Sequence, residues 1–142
     1  YRRPRVVRVG AYGDPMSAPL VLAQLDRAAE PHGTKLLGYT HQWKRPNAAA
    51  YQRWLMASVD SPADALRARS KGWRTFRTRL DGEALQPGET VCDAEANDAT
   101  CRECRACDGT SSSRPSPVIT AHGSAFLVNR YAAWRARRGG AA

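Results

Sequence analysis

Short apolar runs alternate with amphipathic segments along this chain, and each run stops at residues that favour turns. Runs that are rich in β-branched and apolar residues and bounded by Gly, Pro, Asp or Ser are typical of buried strands. The pattern predicts five strands, at residues 5–12, 34–39, 54–59, 73–80 and 117–121. The fourth run alternates apolar with basic or hydroxyl residues, which indicates a half-exposed strand.

Helices are predicted between these strands, at residues 15–30, 46–53, 62–71 and 124–137. Asp14 and Ser61 each precede a proline, which suits the first position of a helix, and Gly33 and Gly72 suit helix ends. Strands that alternate with helices form parallel sheets with right-handed crossovers. We therefore predict an α/β fold of repeated βα units with a mainly parallel sheet, either open and three-layered or a partial barrel.

The length of 142 residues fits a single α/β domain. The chain begins at Tyr1 rather than Met, so we expect further sequence upstream. No run approaches the roughly 20 apolar residues of a membrane span, and no signal-type leader is present. We expect a soluble, cytoplasmic protein with no membrane partner.

Residues 81–116 are polar and turn-rich, and they contain every cysteine of the chain. We interpret this stretch as an inserted Cys-rich loop, because a loop of such length in a compact domain is usually functional or disordered. The spacing is C-x8-C-x2-C-x2-C, formed by Cys92, Cys101, Cys104 and Cys107. Disulfides between the last three would close very short loops, which constrain little unfolded-chain entropy. Metal ligation is the favoured interpretation.

Two metals suit this spacing. Three closely spaced thiolates fit the corners of a [4Fe-4S] cluster, with Cys92 as the fourth ligand, and this option is slightly favoured. The alternative is zinc, held by an irregular four-thiolate site or by three cysteines and His122.

Polar residues follow four of the predicted strands, namely Asp14, His41, Asp60 and His122. In parallel α/β folds the ligand site lies beyond the carboxyl ends of the strands. We therefore treat these four as candidate catalytic residues, with a carboxylate as nucleophile or base and a histidine in proton transfer. The alternative is structural, with the aspartates as helix caps and the histidines as polar strand ends.

The charge of the chain points to a polyanionic partner. Lys and Arg number 22 against 13 acidic residues, for a net charge of +9. Such an excess favours nucleic acid over a membrane surface. Tyr12, Tyr39 and Trp43 are candidates for stacking an unpaired base, although they also suit a core.

Several sequence blocks resemble an uncharacterised family encoded on bacterial plasmids and in phages. They are GAYGDP (10–15), GYTHQW (38–43), MASVDS (56–61), GWRTFRTR (72–79), GETVC (88–92), CRECRACDG (101–109) and ITAHGS (119–124). The resemblance covers roughly residues 5–125 and supports the architecture, but it implies no particular chemistry. Members of that family carry further cysteines upstream, whereas this chain has none before Cys92.

A more remote resemblance is to tRNA-guanine transglycosylases, which combine a barrel, a zinc site of three cysteines and one histidine, and an Asp nucleophile. The cysteine spacing here differs from their C-x-C-x2-C pattern, so the likeness is an analogy. The sequence predicts a metal-containing protein of mobile-element type that acts on nucleic acid or a nucleotide. The alternatives are a non-catalytic, metal-stabilised nucleic-acid-binding or accessory protein and an iron–sulfur redox protein.

Overall fold

The computed structural model describes residues 6–10, 13–110 and 114–139. The strands are β1 (Val6–Arg8), β2 (Lys35–Leu37), β3 (Tyr39–Thr40), β4 (Met56–Val59), β5 (Thr75–Arg79), β6 (Glu89–Val91) and β7 (Ser116–Thr120). The α-helices are α1 (Pro19–Ala29), α2 (Pro62–Ser70), α3 (Asp93–Ala96), α4 (Cys101–Cys104) and α5 (Ala125–Gly139). Short 3-10 helices cover Pro15–Ser17, Glu30–His32, His41–Lys44 and Ala48–Tyr51.

All strand pairs in the described residues are parallel, which confirms the predicted α/β class. One sheet has the order β3-β4-β5-β7-β6, and β1 pairs with β2. Gly38 is the single residue between β2 and β3, and its carbonyl accepts from the Met56 amide at 2.9 Å. Glycine suits this close approach, because an added Cβ would lie 2.7 Å from Cγ2 of Val9 and would force a shift.

The two faces of the sheet have different roles. One face carries Leu36, Ala57 and Val59, which pack with apolar residues of α1 and α2 such as Leu22 and Ala65 in the hydrophobic core. Alternation along the strands turns the next residues to the opposite face. That second face lies beneath α5 and the segment with the cysteines, and it lines the cleft described below.

Element boundaries differ from the sequence prediction at several places. The predicted first helix is divided, because Asp14 caps a separate 3-10 turn before α1 begins at Pro19. The predicted helix at 46–53 is only the 3-10 turn Ala48–Tyr51. The predicted strand at 5–12 is observed as β1, and residues 5, 11 and 12 lie outside the described part of the chain.

The predicted loop at 81–116 contains regular structure. Its residues 89–91 form β6, which pairs with β7 at the edge of the sheet, and α3 and α4 follow. The prediction of a half-exposed strand at 73–80 is wrong for Arg77, which is 0 % exposed. Its guanidinium contacts Glu89 of β6 at 2.7 Å, so the edge strand buries it.

None of the helices in the described ranges is long and apolar enough to cross a membrane.

A pH dependence follows from Glu83, which receives hydrogen bonds from Arg77 at 2.7 Å and Arg135 at 2.6 Å. Burial raises the pKa of Glu83, but hydrogen bonds from Arg135 and the Leu80 amide and the charges of both arginines outweigh it. The pKa of Glu83 therefore lies below its ordinary value of 4.5. Ionised Glu83 stabilises the fold above that pH, and this contribution is lost as the pH falls through the folded-state pKa.

We expect the urea concentration at the midpoint of unfolding to decrease as the pH is lowered below 4.5. This decrease with pH should be less steep in Glu83→Gln than in the unmodified chain. Equilibrium unfolding followed by tryptophan fluorescence at several acidic pH values measures both slopes. If the urea midpoint depends equally on pH in the two proteins, Glu83 is not the group responsible for the loss of stability in acid.

Candidate functional site

A cleft of about 1230 Å³ lies on the second face of the sheet. Its floor includes Tyr39, Phe76 and Ile119, which occupy β3, β5 and β7. Part of its lining comes from α5, and part from residues 92–107, which we call the cysteine segment. The cleft reaches the carboxyl ends of β3, β4 and β7, where the sequence predicted the functional residues.

All four cysteines line this cleft, and all four are free thiols. Cys92 follows β6 directly, and its amide donates to the Val118 carbonyl at 2.7 Å. At the other end of the cysteine segment, the Cys107 carbonyl accepts from Gly38 at 3.2 Å. The segment is thus attached to the sheet beside its first and last cysteines.

The other three cysteines act electrostatically on Cys107. The pKa of Cys107 is raised to about 12, first by burial and then by the neighbouring Cys92, Cys101 and Cys104. Arg8 lowers it, and this arginine also donates from Nη1 to Sγ of Cys101 at 3.8 Å. Within the described residues, no three His, Cys, Asp or Glu side chains already stand in an arrangement that could hold a metal ion. Ligation would therefore require the cysteines to adopt a different arrangement from the one described here.

Local sequence explains the shape of the cysteine segment. Thr100 and Glu103 form a capping box at the start of α4, and Arg105 ends that helix in the left-handed conformation, with φ of 54°. Gly109 then packs so closely that an added Cβ would lie 1.9 Å from the Gln52 carbonyl oxygen. The chain after Cys107 is therefore held against the turn that precedes β4.

His41 and Asp60 meet at the edge of the cleft. Nε2 of His41 lies 3.1 Å from Oγ of Ser58 and 3.9 Å from Oδ2 of Asp60. The Tyr131 hydroxyl donates to Oδ1 of Asp60 at 3.0 Å and also lies 3.1 Å from the Thr78 carbonyl. Burial raises the pKa of Tyr131, and the charge of Asp60 raises it further, so this hydroxyl is a donor. Asp60 does not cap α2, because Ser61 has that role.

Asp14 has the capping geometry. Its carboxylate accepts from the Met16 amide at 3.0 Å, from the Thr40 hydroxyl at 2.7 Å and from the His41 amide at 2.9 Å. The described residues that line the cleft include His41, Asp60 and His122 but not Asp14. The structure thus joins three of the four predicted strand-end residues in one cleft, and Asp14 supports His41 from behind.

His122 lies two residues after the end of β7, and it is exposed. Its Nδ1 lies 2.9 Å from the Thr120 carbonyl, an arrangement in which Nδ1 donates and Nε2 remains available to a ligand.

The predicted stacking residues differ in their surroundings. Trp43 is 2 % exposed and donates from its indole to the Ser58 carbonyl at 3.0 Å, so it is a core residue. Tyr39 is half-buried and stacks on Phe76 with ring centroids 4.5 Å apart, and the Arg8 guanidinium lies over its ring. Tyr12 lies outside the described residues. Free stacking surface is therefore limited at Tyr39 and Trp43 in this conformation.

Basic side chains also line the cleft. They are Arg8, Lys44, Arg105, Arg130, Arg137 and Arg138. The last three belong to α5, which therefore contributes the largest share of positive charge to the cleft.

Sequence reasoning missed Ser58, Tyr131 and Arg8. Ser58 lies inside a buried, mainly apolar strand. The pattern of that strand gives no indication that its hydroxyl contacts a histidine. Tyr131 follows Asp60 by 71 positions, so no local pattern connects them. The one available signal was alternation, which places Ser58 and Asp60 on the same face of β4.

Comparison of the chain with models of protein families, with curated proteins and with solved structures finds no match.

Proposed function

We propose that this chain is a metal-containing α/β protein whose four cysteines hold one metal centre beside a basic cleft for nucleic acid or a nucleotide. The observation that carries the proposal is the shared cleft. Cys92, Cys101, Cys104 and Cys107 line the same cavity as His41, Asp60 and the arginines of α5. A metal at the thiols would thus lie in the wall of the ligand cavity.

A [4Fe-4S] cluster is the metal centre we favour. The neighbours that act on Cys107 include all three other cysteines, which supports an all-thiolate ligand set. Arg8 donates to Cys101, and such donors offset the negative charge of bound thiolates. The short helix α4 carries both Cys101 and Cys104, so these two ligands would be positioned by a single element.

Nucleic acid or a nucleotide is the ligand class we favour, because its phosphates complement the positive cleft. Arg130, Arg137 and Arg138 place three guanidiniums on one helix above the sheet. The net charge of +9 provides the long-range attraction.

Metal content tests the first half of the proposal. We expect anaerobically purified protein to contain iron and sulfide and to show a broad visible absorption band. Cys107→Ser should lose both, whereas His122→Gln should keep them. Zinc in a colourless protein, lost on His122→Gln, would instead establish the three-cysteine and histidine site. Protein without iron or zinc would refute the metal centre altogether.

Binding of a fluorescently labelled single-stranded oligonucleotide tests the second half. We expect the logarithm of the affinity to fall linearly with the logarithm of the salt concentration. Arg130→Gln with Arg138→Gln should weaken binding and reduce that slope by about one for each phosphate contact removed. Each single substitution is compared with Arg27→Gln, which removes one positive charge from α1, behind the other face of the sheet. If the unmodified protein does not bind at low salt, the ligand assignment fails.

A further inference from the structure

The edge of the cleft holds a histidine whose ring is positioned from two sides. We propose that His41 takes up a proton when the phosphate of a ligand enters the cleft and releases it when the ligand leaves, with Ser58 and Asp60 as its positioning residues. This inference rests on the phosphate-bearing ligand proposed above and identifies the His41 imidazole as a group that binds its phosphate.

The backbone of His41 is fixed before any ligand arrives. His41 begins a 3-10 helix directly after β3, and Thr40 caps that helix by accepting from the Gln42 amide at 3.0 Å. The His41 amide donates to Asp14 at 2.9 Å. The side chain nevertheless remains 65 % exposed and lines the cleft. The ring is thus anchored at its base and open to a ligand.

The partners of Nε2 indicate which nitrogen carries the proton. Oδ2 of Asp60 lies 3.9 Å from Nε2 and Oγ of Ser58 lies 3.1 Å from it. A carboxylate repels a nitrogen lone pair and attracts an N–H group, so the proton of neutral His41 belongs on Nε2. Ser58 then accepts this proton in a hydrogen bond, and the lone pair of Nδ1 remains for exchange.

Asp60 is itself held in place. Its other oxygen, Oδ1, accepts from the Tyr131 hydroxyl of α5 at 3.0 Å, and its side chain is only 19 % exposed. The carboxylate is therefore held beside the ring. Through Tyr131 and Asp60, the helix α5 that carries the arginines of the cleft is connected to His41.

The proton balance is simple. A phosphate near Nδ1 favours imidazolium, because the new positive charge lies between the ligand anion and the Asp60 carboxylate. The proton comes from solvent onto Nδ1 and returns to solvent when the ligand dissociates. Lys44 on the same 3-10 helix is paired with Asp64 of α2 at 3.0 Å, which moderates its repulsion of imidazolium. Among the described residues, Asp14 accepts from the His41 amide, Asp60 faces the ring and Tyr131 donates to Asp60, while Arg130 lines the same cleft.

The tautomer is tested in the absence of ligand. Nitrogen-15 NMR of histidine-labelled protein, recorded at a pH high enough to deprotonate the imidazolium form, should show neutral His41 with its proton on Nε2, assigned by comparison with His41→Gln. Asp60→Asn should reduce the population of that tautomer. A proton on Nδ1 in the unmodified protein would overturn the proposal.

Proton uptake is tested with the oligonucleotide used above. Calorimetric titrations in two buffers of different ionisation enthalpy should reveal uptake of up to about one proton per bound ligand. His41→Gln should bind a few-fold more weakly and lose the uptake. His32→Gln, a histidine of the exposed turn Glu30–His32, should retain both.

The outcomes separate the two proposals. Absence of binding by the unmodified protein would remove the ligand assignment and this inference together. Binding without proton uptake, or uptake that persists in His41→Gln, would overturn the role of His41 and leave the ligand assignment intact.

Discussion

Replacement of Glu89 by glutamine should lower the free energy of unfolding by about 3–5 kcal/mol. Arg77 and Glu89 have side chains that are each 0 % exposed, and two hydrogen bonds of 2.9 and 2.7 Å join them. Glutamine preserves the shape of the side chain but removes the charge of one of the two carboxylates that contact the guanidinium at 2.7 Å, namely the fully buried one. The loss of stability measures the cost of leaving the buried Arg77 with Glu83 alone, whose side chain is 23 % exposed.

An exposed ion pair provides the matched control for this substitution. Asp26 and Arg53 also contact at 3.0 Å, but their side chains are 27 % and 62 % exposed. Asp26→Asn should therefore cost less than about 1 kcal/mol. Urea unfolding followed by tryptophan fluorescence compares the two variants. A cost below 1 kcal/mol for Glu89→Gln would contradict the buried pair.

This ion pair shows why part of the fold could not be predicted from the sequence. The run at 73–80 alternates, which predicts a half-exposed strand, and charged residues in such a strand are expected to face solvent because they are rarely buried unpaired. The partner of Arg77 is 12 positions away in a three-residue strand with no apolar pattern. β6 forms by pairing with β7, which is a tertiary interaction. A local pattern cannot indicate it.

The parallel architecture, by contrast, was predictable. Strands β4 and β7 are buried runs bounded by turn residues, and α2 has its cap, its proline and its terminal turn in sequence. Such signals are local and mutually consistent, so the elements they predict are also found in the folded structure. The same reasoning placed His41, Asp60 and His122 at one edge of the sheet, where all three line the cleft.

The internal organisation of that edge was not predictable. Asp14 follows a strand just as Asp60 does, yet its carboxylate is occupied by the Thr40 hydroxyl and two backbone amides. Asp60 instead faces a histidine and a tyrosine from distant parts of the chain. Which carboxylate caps and which faces the cleft depends on strand adjacency, and sequence position alone does not specify it.

Replacement of Arg74 by methionine should release the end of the cysteine segment and lower the free energy of unfolding by about 2–4 kcal/mol. Nη1 of Arg74 donates to the carbonyls of Ala106, at 2.8 Å, and Asp108, and Nη2 donates to the Pro115 carbonyl at 3.1 Å. Its side chain is only 9 % exposed. One guanidinium thus holds the backbone on both sides of Cys107 and ahead of β7. Methionine would leave these carbonyls without their donor.

Thiol reactivity distinguishes release of the segment from general destabilisation. In metal-free protein, Cys107 of Arg74→Met should react with iodoacetamide about tenfold faster than in the unmodified chain, since local opening exposes it. Cys101, which is already exposed, should react at an unchanged rate. Arg27→Met, a substitution of an exposed arginine on α1, controls for loss of charge. If stability falls but the rate at Cys107 does not change, Arg74 stabilises the sheet without positioning Cys107, and the contacts of Gly38 and Gly109 hold this end of the cysteine segment instead.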